Sequence, residues 1–285
     1  MRRFLLWAML SLLVSGAAAN GPGAARKQVE SSMLVTGTID ISTDGGVQGF
    51  RLDQEAKLPP QIIRLASQAL PAWRFEPVAL DGEAVAVSAK MSMRIVASRL
   101  GESGYRLTIR SASFGRDALA PEDREQDGNT VGRGELRPPI YPPGAAMSSI
   151  SGVVYLLVRV GRDGKVEDVA TEQVNLTVIG SEITMKRGRK SLESAALYAA
   201  RAWTFKPPTM GGDVDAPYWK VRVPVAFQLD ERVAAYGEWE AYVPGPRQPL
   251  PPWVEQRDVA TSPDALLDGA VHQLGDGPRL LTPLG

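Results

Sequence analysis

One pattern that occurs twice constrains this chain more than any other feature. Trp73-Arg74-Phe75-Glu76-Pro77 stands near the end of the first half, and Trp203-Thr204-Phe205-Lys206-Pro207 near the end of the second. Each follows an amphipathic stretch, is followed by a glycine (Gly82, Gly212) and leads into an alternating strand. Such a repeat implies two copies of one small α/β module. Neither copy carries a set of catalytic residues, so the repeat points to a binding module.

Along the first copy, Leu34 to Ser42 reads as a strand, Asp44-Gly45-Gly46 as a turn and Val47 to about Leu52 as the returning strand. Pro59 and Pro60 suit the first turn of a helix. Ile62, Leu65, Ala66, Ala69, Leu70 and Trp73 then share one helical face, with Pro71 predicted to end or distort the last turn. Val85, Val87, Ala89, Met91, Met93 and Ile95 alternate with smaller or polar residues, which predicts a strand with one buried face. Tyr105, Leu107 and Ile109 form its hairpin partner. The second copy repeats the order. Gly152 to Val160 is a strand, with Val154, Leu156, Val158 and Val160 on one face and Val153, Tyr155 and Leu157 on the other. Gly161-Arg162-Asp163-Gly164 is a turn, and Lys165 to about Thr171 is the second strand. Ser191 is read as the cap of a helix carrying Leu192, Ala195, Ala196, Ala199, Ala200 and Trp203. Trp219 to Leu229 is the last strand.

The copies register when Asp44-Gly45 is laid on Asp163-Gly164, Ile62 on Leu192 and Trp73 on Trp203. The second carries an insertion, about Asn175 to Lys190, with Lys186, Arg187, Arg189 and Lys190. That insertion reads either as a solvated loop or as a basic patch for an acidic partner or lipid phosphates. The domain boundaries that follow are a signal peptide over 1–19, a flexible lead over 20–32 and a degenerate first module over 33–114. A linker over 115–138, the second module over 139–230 and a loosely ordered Pro/Gly-rich tail over 231–285 complete the chain.

Composition narrows the function. Lys+Arg and Asp+Glu both number 32, so no large basic face is available for nucleic acid. The chain has no cysteine and one histidine, His272, which removes disulfides, thiolate zinc sites and Ser-His-Asp chemistry. No metal or cofactor and no enzymatic activity are expected. Arg2-Arg3, the apolar run Phe4 to Val14 and Ala17-Ala18-Ala19 read as a secretion signal cut before Asn20, which places the mature chain in the periplasm. The alternative is an uncut anchor on the periplasmic side of the inner membrane. That run is short for a span of about 20 residues.

The second copy carries Pro139-Ile140-Tyr141-Pro142, then Gly152-Val153-Val154 through Asp163-Gly164, and Ala195-Ala196. These are followed by Ala202-Trp203-Thr204-Phe205-Lys206-Pro207 and Val223-Pro224-Val225-Ala226-Phe227. In these motifs, over roughly Leu136 to Leu229, it resembles the C-terminal domain of the TonB family of energy transducers. The resemblance implies an α+β fold of two tandem ββαβ modules, each a helix on a small antiparallel sheet. Tyr141, Pro142, Gly152, Asp163, Gly164, Ala196, Trp203, Phe205 and Pro207 are its structural motif residues. The first copy lacks the Tyr-Pro opening and the Val-Pro-Val segment.

The resemblance further implies that the last strand pairs with an extended peptide, the short N-terminal box of an outer-membrane transporter. An edge strand offers free N–H and C=O groups to an incoming strand. The expected binding residues are Lys220, Val221, Arg222, Val223, Val225 and Phe227, with Pro224 suited to an edge. Lys220, Arg222 and Gln228 would face an acidic or polar peptide, or simply solvent. Prolines at Val223 and Val225 are expected to abolish capture while sparing the helix. The partner is thus a transporter peptide or another envelope protein, with a homodimer left open and membrane contact only through an uncut N-terminus. A transducer would also need a membrane helix and a long Pro-rich spacer, and here a folded module precedes the second copy. A third reading is a structural envelope protein whose last strand is already paired, for example by Val233 to Tyr242.

Overall fold

A computed structural model describes residues 30–80, 82–101, 104–119, 128–229, 234–256, 262–267, 269–275 and 277–284. The expected signal peptide and most of the lead, 20–32, lie outside the described residues.

Two Asx turns organise two antiparallel sheets. Asp44 Oδ1 accepts from Gly46 N at 3.0 Å, and Asp163 Oδ1 accepts from Lys165 N at 3.0 Å. Inside each turn a glycine, Gly45 (φ 80°) or Gly164 (φ 76°), sits in the left-handed region. Its carbonyl accepts from a phenylalanine amide, Phe75 N at 2.8 Å or Phe205 N at 2.7 Å. A Cβ on Gly45 would lie 2.0 Å from Phe75 O, and one on Gly164 2.3 Å from Phe205 O, so both the angle and the space require glycine.

The first sheet is built from β1 (Glu30–Ile41) and β2 (Val47–Leu52), then β5 (Val87–Leu100) and β6 (Gly104–Phe114). Helix α1 (Pro60–Ala69) precedes a small hairpin, β3 (Ala79–Leu80) and β4 (Glu83–Ala84). β1 pairs with β2 through Gly37–Ile41 on one side and with β5 on the other, and β6 lies outside β5. Ile62, Ala66, Leu70 and Trp73 from α1 and its continuation pack on Val35, Ile39, Met91, Met93 and Ile95. Pro71 acts as expected. The α-helix ends at Ala69, and Leu70–Ala72 continues as a 3-10 turn, because proline removes an amide and clashes with the preceding turn.

The second sheet holds β8 (Gly152–Gly161), β9 (Val166–Leu176) and β11 (Tyr218–Phe227). Around it lie β7 (Gly132–Arg133), α2 (Pro143–Met147), α3 (Glu182–Ala200) and β10 (Phe205–Lys206). β8 is flanked by β9 and β11, and β10 pairs with β7. Leu192, Ala196, Ala200 and Trp203 pack on Val154, Leu156, Val158 and Val160.

Two expectations change here. The insertion Asn175 to Lys190 is not a loop: Leu176 is the buried end of β9, and Glu182–Lys190 is the first half of α3. The helix is capped by Ser181, whose hydroxyl accepts from Thr184 N at 3.2 Å, rather than by Ser191. Met185 and Gly188 extend the buried stripe of Leu192, Ala196 and Ala200 backwards by two turns, so tertiary packing carries the helix past its glycine.

The tail is the larger correction. β12 (Glu240–Tyr242) pairs with the start of β1, and β13 (His272–Gln273) pairs with β11. Tyr242, Val243, Val254, Leu266 and Ala270 are buried. Leu157, on the β8 face away from α3, packs with Val254, Leu250, Trp253 and Leu274. Each sheet carries its long helix on one face, and the tail covers the other, which on the second sheet is apolar at Leu157. On the first sheet the layer is polar. Ser111 Oγ and Tyr242 OH both donate to the buried Asp264 carboxylate. Arg94 Nε donates to Asp264 O at 2.7 Å, and Ser92 Oγ to Ala265 O at 2.6 Å. Further on, Phe75 bridges to Leu280 as Phe205 pairs with Arg133.

Candidate functional site at the outer edge of the last strand

The expected peptide-binding edge, β11, is one margin of the second sheet except where β13 lies along it. Gln273 faces Val221 and His272 faces Arg222. Leu274 N donates to Lys220 O at 2.9 Å, and Gly269 N to Pro224 O at 3.4 Å. The paired expectation therefore holds with a different segment. The chain at Val233 to Tyr242 contributes β12 to the first sheet, and residues near 272 cover the edge.

These bonds fix which groups point outward. In an antiparallel strand the N–H and C=O of one residue point the same way and alternate along the strand. Lys220 O and Pro224 O face outward, so Arg222 and Ala226 do as well, while Val221, Val223 and Val225 pair with Val158, Leu156 and Val154 of β8. Pro224 thus lacks an N–H on the outer side, where no sheet bond is lost. Beyond Pro224, the outward amide of Ala226 has no partner among the described residues, and Ala226 is exposed.

The side chains sort differently from the expectation. Val221, Val223, Val225 and Phe227 are buried in the core under α3. Their side chains face the core and shape the strand. Arg222, expected to face a peptide or solvent, is buried and forked onto Glu172, with Nε to Oε2 at 2.7 Å and Nη2 to Oε1 at 2.9 Å. The reason is the tail, which roofs this face: Gln248 N donates to Glu172 O at 2.8 Å, and Trp253 Nε1 to Asp168 Oδ2 at 2.8 Å. Only Lys220 remains half-exposed, and Gln228 is exposed beyond the strand. The proline substitutions at Val223 and Val225 would remove bonds to β8, so they test the sheet and not the edge.

His272 anchors the covering strand. Its Nδ1 lies 3.0 Å from Asp117 Oδ1 and its Nε2 3.3 Å from Leu267 O. Gln273 is held through its side chain, with Val131 N donating to Oε1 at 2.9 Å and Nε2 donating to Asp213 Oδ2 at 3.0 Å. Sequence reasoning missed Glu172, Asp264, His272 and Gln273 as placed groups. Glu172 had one visible signal, a carboxylate inside an otherwise sheet-forming run.

The residues that carry the resemblance lie in the packing of the second sheet and its surroundings. Tyr141 OH donates to Ile150 O at 2.6 Å, and its ring meets Phe227 edge-on at 5.5 Å. Pro142 starts α2. A Cβ on Gly152 would sit 2.2 Å from Asn175 O. Ala196 and Phe205 are buried, Trp203 Nε1 donates to Arg137 O at 2.8 Å, and Pro207 lies against the Asp163-Gly164 turn. Among the described residues no group of three or more His, Cys, Asp or Glu is placed to hold a metal, and no helix is long and apolar enough to cross a membrane.

Comparison with curated proteins finds the protein TonB of two strains of Xanthomonas campestris pv. campestris. Each is 35% identical over 95 residues, which is 33% of this chain and 36% of the relative. The chain therefore spans about a third of the length of the curated relatives it matches. No family model matches, and no solved structure gives a significant match.

Proposed function

We propose that this chain, which carries a TonB C-terminal-like domain, is a non-catalytic envelope protein of outer-membrane transport that binds extended segments of its partners along β11. The observation that carries the reading is the main-chain pairing of that edge with the chain's own residues 269–274, through Leu274 N to Lys220 O and the two-residue strand β13. An edge that accepts a strand in cis has the geometry to accept one in trans. The cis strand is short, and the outward amide of Ala226 beyond it has no partner among the described residues. The partner is an outer-membrane transporter segment, and the chain works in the periplasm. The first sheet is read as a degenerate copy of the same module, supported by the matching Gly45–Phe75 and Gly164–Phe205 bonds. There β6 pairs with β5 from Met91 to Leu100, so the corresponding edge is closed over that stretch.

Absence of native cysteine makes the test direct. A single Ala226→Cys variant is mixed with a peptide copying the N-terminal segment of an outer-membrane transporter from the same cell and carrying one cysteine. The reading expects a register-specific disulfide that alternates with peptide position and is lost on adding unlabelled peptide. A cross-link without register preference, or none even after residues 269–284 are removed, would replace this reading with a closed, structural edge.

A further inference from the structure

On the opposite side of α3 from the sheet lies a groove of about 1280 Å³, walled by residues 137–143. We propose that it is a second docking site, separate from the β11 edge, for an acidic protein segment that carries apolar residues at its centre.

The wall is built to stay in place. Tyr141 turns inward to Ile150 O and Phe227, and the carbonyl of Arg137 is held by Trp203 Nε1. Four prolines, Pro138, Pro139, Pro142 and Pro143, restrict the backbone between and beside those anchors. Ile140, next to the inward Tyr141, is left 87% exposed. Across the groove Tyr198 is 78% exposed on the solvent face of α3. Large apolar groups that face each other across a rigid groove are a signature of a partner surface.

Charge identifies the occupant. Arg137, Arg187, Lys190 and Arg201 line the groove, and no carboxylate does. Glu135 pairs with Arg137 at 2.8 Å and Glu193 with Lys190 at 3.2 Å. Arg187 and Arg201 have no ion pair among the described residues, and both are exposed. They stand at opposite ends of the same helix face as Tyr198. At about 1.5 Å per residue they are about 21 Å apart, which about six residues of an extended segment span. A segment with carboxylates at both ends and apolar residues between them matches this order of cation, Tyr198 with Ile140, cation. The concavity favours a chain over a bilayer, because a flat surface cannot reach the floor between the two walls.

The probe is a fluorescein-labelled synthetic peptide with paired Glu at each end and a Leu-Pro-Leu centre, titrated by anisotropy into the full chain. Saturable binding is expected that weakens about tenfold or more from about 10 mM to about 150 mM salt. The double variant Arg187→Glu, Arg201→Glu should weaken it by about tenfold or more, and Tyr198→Ser should weaken it at both salt concentrations. Ala226→Pro, which alters only the β11 edge, should leave it unchanged, which separates this site from the edge. Helix content by circular dichroism verifies that each variant is folded. Equal binding of a Gln-for-Glu peptide, indifference to the charge reversal, or the absence of saturable binding would each overturn the proposal. So would binding to phosphatidylglycerol vesicles in place of the peptide.

Discussion

Arg222 and Glu172 show how far a residue's role depends on what covers it. Both are buried, with side chains 6% and 1% exposed, and their two-pronged contact satisfies the guanidinium and the carboxylate together. Removing one partner leaves the other charge stranded. Glu172→Ala is therefore expected to lower stability by about 3–5 kcal/mol, whereas replacing the pair with Leu and Met should restore most of it. Urea unfolding of the three chains checks this. Tyr242 carries a pH dependence. Burial, then the adjacent Asp264 carboxylate, push its phenol well above the ordinary value of 10.0. A raised folded-state value means that the stabilisation is complete below pH 10 and is lost as pH rises above it. The loss amounts to about 1.4 kcal/mol per pH unit for one proton. Tyr242→Phe should flatten stability against pH between about pH 10 and pH 12 by that slope, read by denaturant midpoints.

At the scale of elements, register decides what a substitution tests. Proline at Ala226 removes an outward amide and leaves the bonds between β11 and β8 whole. The folded state should survive with little change in unfolding midpoint, while transporter-peptide capture falls. Proline at Val223 takes a bond out of the sheet interior and is expected to destabilise the fold by about 3 kcal/mol or more. Helix α3 gives a second case. Gly188 faces the core, where a Cβ would approach Ile150 Cγ2 to 2.7 Å and Cγ1 to 3.1 Å. The gain of about 1 kcal/mol in helix propensity from Gly188→Ala is outweighed by overpacking that costs about 1–3 kcal/mol, so thermal unfolding should shift down. The same glycine explains why the sequence signals a helix start only at Ser191. Its low propensity sits in a charged stretch whose apolar stripe of Met185, Gly188 and Leu192 becomes visible only against Ile150 and the sheet.

Over the whole molecule, the tail acts as a second layer shared by both sheets. Asp264 and Ala265 hold the first sheet, Val254 and Trp253 the second, β13 the edge of β11, and residues 279–282 the segment Arg74–Glu76. Ending the chain after Val243 should therefore expose the apolar outer face of the second sheet at Leu157 and leave Ser92, Arg94 and Ser111 of the first without their tail partners. Increased binding of a hydrophobic dye and a loss of cooperative unfolding are the expected outcome. A chain that unfolds at the full-length midpoint would show that the layer adds nothing to stability. Arg189 joins the layer from α3, donating to Val174 O at 3.2 Å and Val243 O at 3.1 Å, which makes one cation of the supposed insertion a clamp and leaves Arg187 for the groove.

The sequence by itself determined the elements whose signals are local. Asp-Gly turns, the helical spacing from Ile62 to Trp73, the alternation from Trp219 to Phe227 and the Trp-x-Phe-x-Pro closures all stand where the periodicity put them. Each follows from backbone angles or from one apolar face, and a few neighbours suffice to specify them. Tertiary structure alone decided the fate of Arg222, the occupied edge of β11 and the packed tail. Those depend on contacts between segments about 40–200 residues apart in the chain. A Pro/Gly-rich segment lacking its own periodicity gives no local sign that two half-covered sheets will bind it. The second apolar face of β8, with Tyr155 and Leu157, was the one legible hint that something had to cover it.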